Sequence, residues 1–233
     1  MIDTAVIYTR TNSKRFKNKA LIKVYKDKSL IESVVENTLK IKSIKKIIIA
    51  TTKSKKDLIF KKILNKYKVN FFYGSTNDLI DRTLKCSSKL KFDYFLRICG
   101  DRPFFSYKYI DNVITKFNKN RKNYDLITNN NINKTVDQGL TVEIVSISSL
   151  KRIKKKKLSK YNLENITSYF YKNPKNFNIY YLKSPKNWFL NHKYTIDKPE
   201  DLNKMRIIIS RVGYNKFNLK KCVSIYKKLK DEN

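Results

Sequence analysis

Residues able to do chemistry fall in three short stretches of this 233-residue chain, each at the end of an apolar run that reads as a β-strand. The first is Arg10-Thr11-Asn12-Ser13-Lys14-Arg15-Phe16-Lys17-Asn18-Lys19, where five of ten residues are cationic. Backbone N–H groups in such a loop, joined by arginine and lysine heads, form an anion-binding concavity. Arginine makes forked contacts to phosphate oxygens, whereas lysine acts as a point charge. The blander alternative is a solvated lysine-rich loop. The second stretch, Arg97-Ile98-Cys99-Gly100-Asp101-Arg102-Pro103, presents Asp101 where a carboxylate suits Mg²⁺, a cation that takes a few carboxylates together with phosphate oxygens. A turn or helix cap is the competing use of Asp101. The third, Tyr194 to Leu202, puts Asp197 at the close of a short apolar run and just ahead of Pro199; an N-cap is the commoner use of aspartate there. His192 is the single histidine, and with no carboxylate or second histidine at ligand spacing it reads as a loop residue rather than a base.

These stretches need elements to hold them. Thr4 to Tyr8 reads as a buried strand, Ser29 to Lys40 as an amphipathic helix capped by Ser29, and Lys46 to Thr51 as a second strand. A helix over about 55–67, a strand over Val69 to Tyr73 and a helix beginning after Ser75 follow. Tyr94 to Ile98 is a fourth strand and Ser106 to Phe117 another helix. Strand and helix alternating in this rhythm imply right-handed crossovers and a mostly parallel α/β sheet. Ligands of such sheets bind beyond the carboxyl ends of the strands, where the three stretches lie. After Asp125 the rhythm changes: a longer strand over Gly139 to Val145, a helix over Leu163 to Tyr171 and a strand over Phe177 to Leu182 suggest a small α+β excursion at about 128–190. Asp197 then precedes a helix with Pro199 in its first turn, and Leu219 to Lys230 forms a basic amphipathic tail helix. Three of the four glycines (Gly74, Gly100 and Gly139) stand at segment ends, where backbone needs close approach or positive φ.

Composition narrows the function classes. Hydrophobic residues make up 41% of the chain and aromatics 13%, enough for a packed core. No apolar run is long enough to cross a bilayer, and the first residues lack the charged start and apolar stretch of a secretion signal. Three cysteines without CxxC spacing argue against zinc and disulfides, so a reducing cytoplasm is expected. The net charge is +34, but 44 of the 53 basic residues are lysines spread along the chain, which reads as a compositional bias toward Lys, Asn and Ile more than as a polyanion stripe. No nucleic-acid-binding signature is present, so no specific nucleic-acid partner is expected.

Taken in order, the motifs resemble the cytidylyltransferases that activate sugar acids, in particular the spore-coat polysaccharide biosynthesis protein F branch, related to the CMP-Kdo and CMP-acylneuraminate synthetases. The branch pattern ARxGSxRLPGK is matched over Thr9 to Lys19, GSxxDVLxR over Gly74 to Arg82, and RxTGDxP over Arg97 to Pro103. DGLDVE is matched over Gln138 to Glu143, EHVT over Glu164 to Thr167, and TVDTPEDL over Thr195 to Leu202. The chain departs from the pattern at Asn12 and Asn18, which replace loop glycines, and at Lys17, which replaces the loop proline. It also departs at Gln138 and Thr141, which replace aspartates, and at Asn165, which replaces histidine. Asparagine tolerates left-handed backbone best among the other residues, so the loop turn can survive.

The resemblance implies one Rossmann-like domain over residues 1–233, of the nucleotide-diphospho-sugar transferase type, with an acceptor-binding and dimerisation excursion at about 128–190. It implies Mg²⁺-dependent transfer of CMP from CTP to a sugar-acid-like acceptor, with release of pyrophosphate, by a cytoplasmic homodimer with no membrane insertion, serving cell-surface polysaccharide synthesis. Asp101 and Asp197 would hold the metal and, with Lys19, carry catalysis. Arg10, Ser13, Arg15, Lys19, Gly74, Asp78, Arg82 and Arg97 would bind the nucleotide; Gln138, Gly139, Thr141, Glu143 and Asn165 would bind the acceptor. The alternatives are a same-fold enzyme using another nucleotide or a sugar-phosphate acceptor, and a non-catalytic polyanion-binding relative.

Overall fold

The strand β1 (Thr4–Tyr8) is buried along its whole length. A strand covered on both faces belongs in the middle of a parallel sheet, and β1 lies there, between β4 (Lys46–Thr52) and β6 (Tyr94–Cys99), parallel to both. The computed structural model describes residues 1–13, 15–120, 122–186 and 188–231, the last two by backbone alone. With β5 (Asn70–Gly74), β7 (Leu126–Thr128), β8 (Glu143–Ser146) and β9 (Ile179–Tyr181), the sheet has seven strands in the order β5-β4-β1-β6-β8-β7-β9. The pairings leave only β8 running against the rest. A small hairpin, β2 (Lys23–Tyr25) with β3 (Lys28–Ser29), forms separately.

Alternation along the central strands sorts the core into two layers. Ala5, Ile7, Ile47, Ile49 and Ile98 pack on one face with α1 (Leu30–Leu39), α4 (Tyr107–Asn120), α8 (Pro199–Val212) and α9 (Leu219–Asp231). Val6, Tyr8, Ile48, Ala50 and Phe95 pack on the other with α3 (Leu79–Leu90), α5 (Ile147–Lys154) and α7 (Ser168–Lys172). Ser29 caps α1 as expected, in a reciprocal capping box with Glu32. Pro199 starts α8, where Asp201 accepts the backbone N–H groups of Asp197 and Lys198 at 2.9 Å each.

Several elements differ from the sequence reading. The segment over 55–67 begins as a 3₁₀ turn (Lys55–Leu58), and only Ile59–Leu64 (α2) is α-helical. The helix expected after Ser75 is α3, which Asp78 caps by accepting Asp81 N at 2.8 Å while Ser75 Oγ accepts Asp78 N at 3.1 Å. Gly139 to Val145 pairs in the sheet only from Glu143. Upstream of it the Asn129 side chain takes the ladder's place, donating to Leu140 O at 3.2 Å and accepting Val142 N at 2.7 Å. The helix expected over Leu163 to Tyr171 is two short ones, α6 (Lys160–Glu164) and α7, broken where Asn165 leaves helical backbone. The stretch 128–190 is continuous with the main sheet, adding β8 and β9 beside β7. No helix among the described residues is long and apolar enough to cross a membrane.

Candidate active site

The loop after β1 is built on a buried carboxylate that the sequence reading missed. Asp57, 1% exposed, accepts Thr11 N at 2.9 Å and Thr11 Oγ1 at 2.6 Å on one oxygen. Its other oxygen accepts Thr51 Oγ1, Thr52 N and Thr52 Oγ1 at 2.8, 3.1 and 2.5 Å. The loop entrance is thereby tied to the carboxyl end of β4. The loop then folds back on itself, with Ser13 N and Asn18 N both donating to Thr11 O at 3.0 Å. Asn18 takes φ 58°, so asparagine supplies the left-handed turn that the resembling family builds with glycine. Lys14 lies outside the described residues.

The turn aims Lys19 at both aspartates. Its Nζ donates to Asp101 Oδ2 at 3.0 Å, Asp197 Oδ1 at 3.0 Å and Ile196 O at 2.9 Å. Asp101 reaches this point because Gly100 lets β6 close on β1: Gly100 N donates to Tyr8 O at 2.9 Å, and a Cβ there would stand 2.9 Å from Thr9 Cβ. Asp197 is 2% exposed and takes further contacts from Arg15 (2.7 Å), Gln138 (3.2 Å) and Lys193 (3.3 Å). Burial opposes its ionisation, but Lys19, Arg15 and Lys193 outweigh burial and hold the carboxyl below the usual range. Burial likewise works against the Lys19 ammonium, while Asp101 and Asp197 keep its pKa above the ordinary lysine value. Lys19 is therefore cationic at neutral pH.

Two carboxylates converge on one cationic point, Asp101 at the carboxyl end of β6 and Asp197 in the irregular segment ahead of α8, where a strand was expected and none forms. This donor set fits Mg²⁺, whose remaining ligands are water and phosphate oxygens. Asp101 and Asp197 are the residues that would hold it. Among the described residues no group of three or more His, Cys, Asp or Glu could hold a metal.

Beside this point opens a cleft of about 470 Å³ lined by Asp101, Asp197 and all five expected acceptor residues, Gln138, Gly139, Thr141, Glu143 and Asn165. Gly139 has φ 102°, and its missing Cβ leaves room for the Tyr194 backbone, 2.9 Å from where that atom would be. Glu143 forms the buried wall, paired with Arg97 and accepting the Tyr171 hydroxyl at 2.7 Å. Burial raises its pKa, yet Arg97 and the hydroxyls of Tyr171 and Thr167 prevail and keep it an anion.

The residues assigned to the nucleotide divide. Arg10, Ser13, Arg15 and Lys19 lie on the loop, and Arg10 Nη1 reaches across to Thr76 O at 3.3 Å. Gly74 and Arg82 shape the floor of the facing turn: Arg82 is buried and donates to the carbonyls of Ser75 (2.7 Å from Nε) and Ala50 (3.3 Å from Nη1), and a Cβ on Gly74 would meet it at 2.5 Å. Asp78 caps α3 and pairs with Lys154. Arg97 lies instead in the cleft with the expected acceptor residues, against Glu143. His192 is a packing residue, stacked on Tyr226 with 4.4 Å between ring centres and 3.8 Å from Asp137 Oδ2.

Comparison with known proteins places this architecture. A family model described as "Cytidylyltransferase" matches residues 4–230. Uncharacterized protein MJ1063 of Methanocaldococcus jannaschii is 36% identical over 169 residues, which is 72% of this chain and 67% of that one. A cytidylyltransferase from Leptospira borgpetersenii is similar in fold, with a TM-score of 0.87 at 24% identity over 99% of this chain and 95% of the other. A CMP:2-keto-3-deoxy-manno-octonic acid synthetase solved with CTP is similar at a TM-score of 0.67 and 14% identity, covering 89% and 98% of the two chains.

Proposed function

The chain belongs to the cytidylyltransferase family, and from that premise we propose that it transfers CMP from CTP to a sugar acid or a related anionic acceptor, releasing pyrophosphate. The observation that carries this reading is the Lys19 ammonium held between Asp101 and Asp197 at the mouth of the cleft lined by Gln138, Thr141 and Glu143. In the reaction an acceptor oxygen bonds the α-phosphorus as its hydroxyl proton leaves, and the bridging oxygen departs with pyrophosphate. Little covalent chemistry is asked of the protein; positioning and charge neutralisation do most of the work. Arg10, Arg15 and Lys19 neutralise the β- and γ-phosphates, and Ser13 adds a hydroxyl contact. Asp101 and Asp197 would hold Mg²⁺, which would supply polarisation of the α-phosphate. The Ser75–Thr76 turn braced by Arg82 faces the loop and bounds the nucleotide on its other side.

The same reading extends to the spore-coat F branch, a cytoplasmic location, a role in cell-surface polysaccharide synthesis and a homodimer formed through residues 128–190. Gln138, although it replaces an aspartate of the resembling pattern, donates to Asp197, which favours a working acceptor site over a decayed one. The test is pyrophosphate release from each of four NTPs against sugar acids and sugar phosphates, with and without Mg²⁺. CTP with an anionic sugar should give Mg²⁺-dependent release, and Asp101→Ala should abolish it with the fold intact. Unchanged turnover in that variant sinks the metal assignment, and release from another NTP alone sinks the CTP reading.

A further inference from the structure

Arg102 follows Asp101 in the chain and lines the same cleft, yet the reaction outlined above does not use it. It is 5% exposed. Nη1 donates to the Thr141 carbonyl, and the guanidinium carbon lies 5.7 Å from the centre of the Phe105 ring. Nε and Nη2 are buried and have no hydrogen-bond partner among the described residues. These two N–H groups share one edge of the guanidinium, the edge that makes two parallel hydrogen bonds to a carboxylate or phosphate.

The contrast with Arg97 on the same wall is instructive. Arg97 is partly buried and also leaves Nε open, but its charge is matched by Glu143. No described carboxylate makes an ion pair with Arg102, whose one hydrogen bond goes to a neutral carbonyl. A buried cation with two open donors is costly for a folded chain, and native structures satisfy most such groups. Within a ligand cleft, the missing acceptor is a group the ligand brings. Lys134 and Lys172 in the same lining add to a field that draws anions in.

We infer that Arg102 is the anion anchor for the acceptor: its Nε–Nη2 edge receives a carboxylate or phosphate carried by the acceptor and holds that molecule beside Asp101. The inference rests on the acceptor role given to this cleft above. A neutral sugar leaves the edge unfilled, so Arg102 also sets specificity, since sites built to hydrogen-bond a substrate group discriminate strongly against analogues lacking it.

The experiment compares the wild type with Arg102→Gln and Arg102→Lys on matched sugars carrying a carboxylate, a phosphate or no charge. Glutamine keeps a donor for Thr141 while removing the charge and the forked edge. Arg102→Gln should raise the anionic acceptor's KM by roughly 10- to 100-fold, the range for losing hydrogen bonds to a charged group. The KM for CTP should not change, the preference for anionic over neutral sugars should collapse, and Arg102→Lys should restore part of it. Whichever of the carboxylate and phosphate arms responds identifies the anion. Equal losses toward CTP and acceptor, or a preference that survives Arg102→Gln, would overturn the anchor. Independently of turnover, the Arg102 Nε–H resonance should shift when sodium acetate or inorganic phosphate is added, and no shift with either overturns it too. A shift without CMP transfer to any acceptor would instead sink the proposed function and leave the anion site standing.

Discussion

Asp57 offers the sharpest test of how this fold shapes the proposed nucleotide loop. Its carboxylate accepts five hydrogen bonds, two from Thr11 at the loop entrance and three from Thr51 and Thr52 at the end of β4. In Asp57→Asn the hydroxyls can reorient to accept from the new amide, but backbone N–H groups cannot. Whichever way the amide is turned, Thr11 N–H or Thr52 N–H faces an N–H₂ and loses its acceptor. An orphaned buried donor together with lost charge-assisted bonds should cost about 3 kcal/mol, which lowers Tm by roughly 6–12 °C for a chain of this size. Function should suffer as well. Freeing the backbone of even one loop residue costs about 1–2 kcal/mol when the loop must be re-ordered around a nucleotide, so the KM for CTP should rise about tenfold.

The pH dependence has a definite sign. Burial raises the Asp57 pKa, but the bonds from Thr11, Thr52 and Thr51 outweigh it and leave the folded value below the ordinary one. Its stabilisation is therefore complete above the unfolded carboxyl pKa of about 3.9 and is lost as pH falls through the lower folded value. Wild-type stability should decline in that acid window, and Asp57→Asn should lack this part of the decline. Thermal unfolding followed by circular dichroism, with initial-rate kinetics, measures all three effects. A Tm loss below about 2 °C with an unchanged KM for CTP would refute the claim that Asp57 orders the loop.

Lys19→Met removes the ammonium but keeps much of the stem, taking from Asp101 its ion-pair partner while Asp197 keeps Arg15 and Lys193. The KM for CTP should rise and kcat fall, and steady-state kinetics showing neither would return the loop to the role of a solvated lysine-rich segment. Gly139→Ala meets both the positive φ and the Tyr194 backbone, so it should lose about 2 kcal/mol of stability, seen as a lowered urea midpoint, and raise the acceptor KM more than the CTP KM.

Much of the framework was legible without coordinates. The apolar runs at β1, β4 and β6 and the helix signals at Ser29 and Pro199 reflect local periodicity and capping, which the chain carries within a few residues. Where the reading slipped, distant groups intervened. Asn129 takes the hydrogen bonds of the segment before Glu143. The assigned site residues fall on two sides of one site, with Arg97 brought among the expected acceptor residues by Glu143, 46 positions away.

By itself the sequence determined an alternating α/β chain, a cationic loop behind the first strand, and Asp101 and Asp197 at segment ends, because strand periodicity and short motifs are local properties. Only the tertiary structure decided what those charges do. The +34 background hides which lysine matters until the αL turn at Asn18 aims Lys19 at two carboxylates more than 80 positions away. The buried brace at Asp57 and the open edge of Arg102 belong there too, since burial and unfilled hydrogen bonds exist only once distant strands have come together.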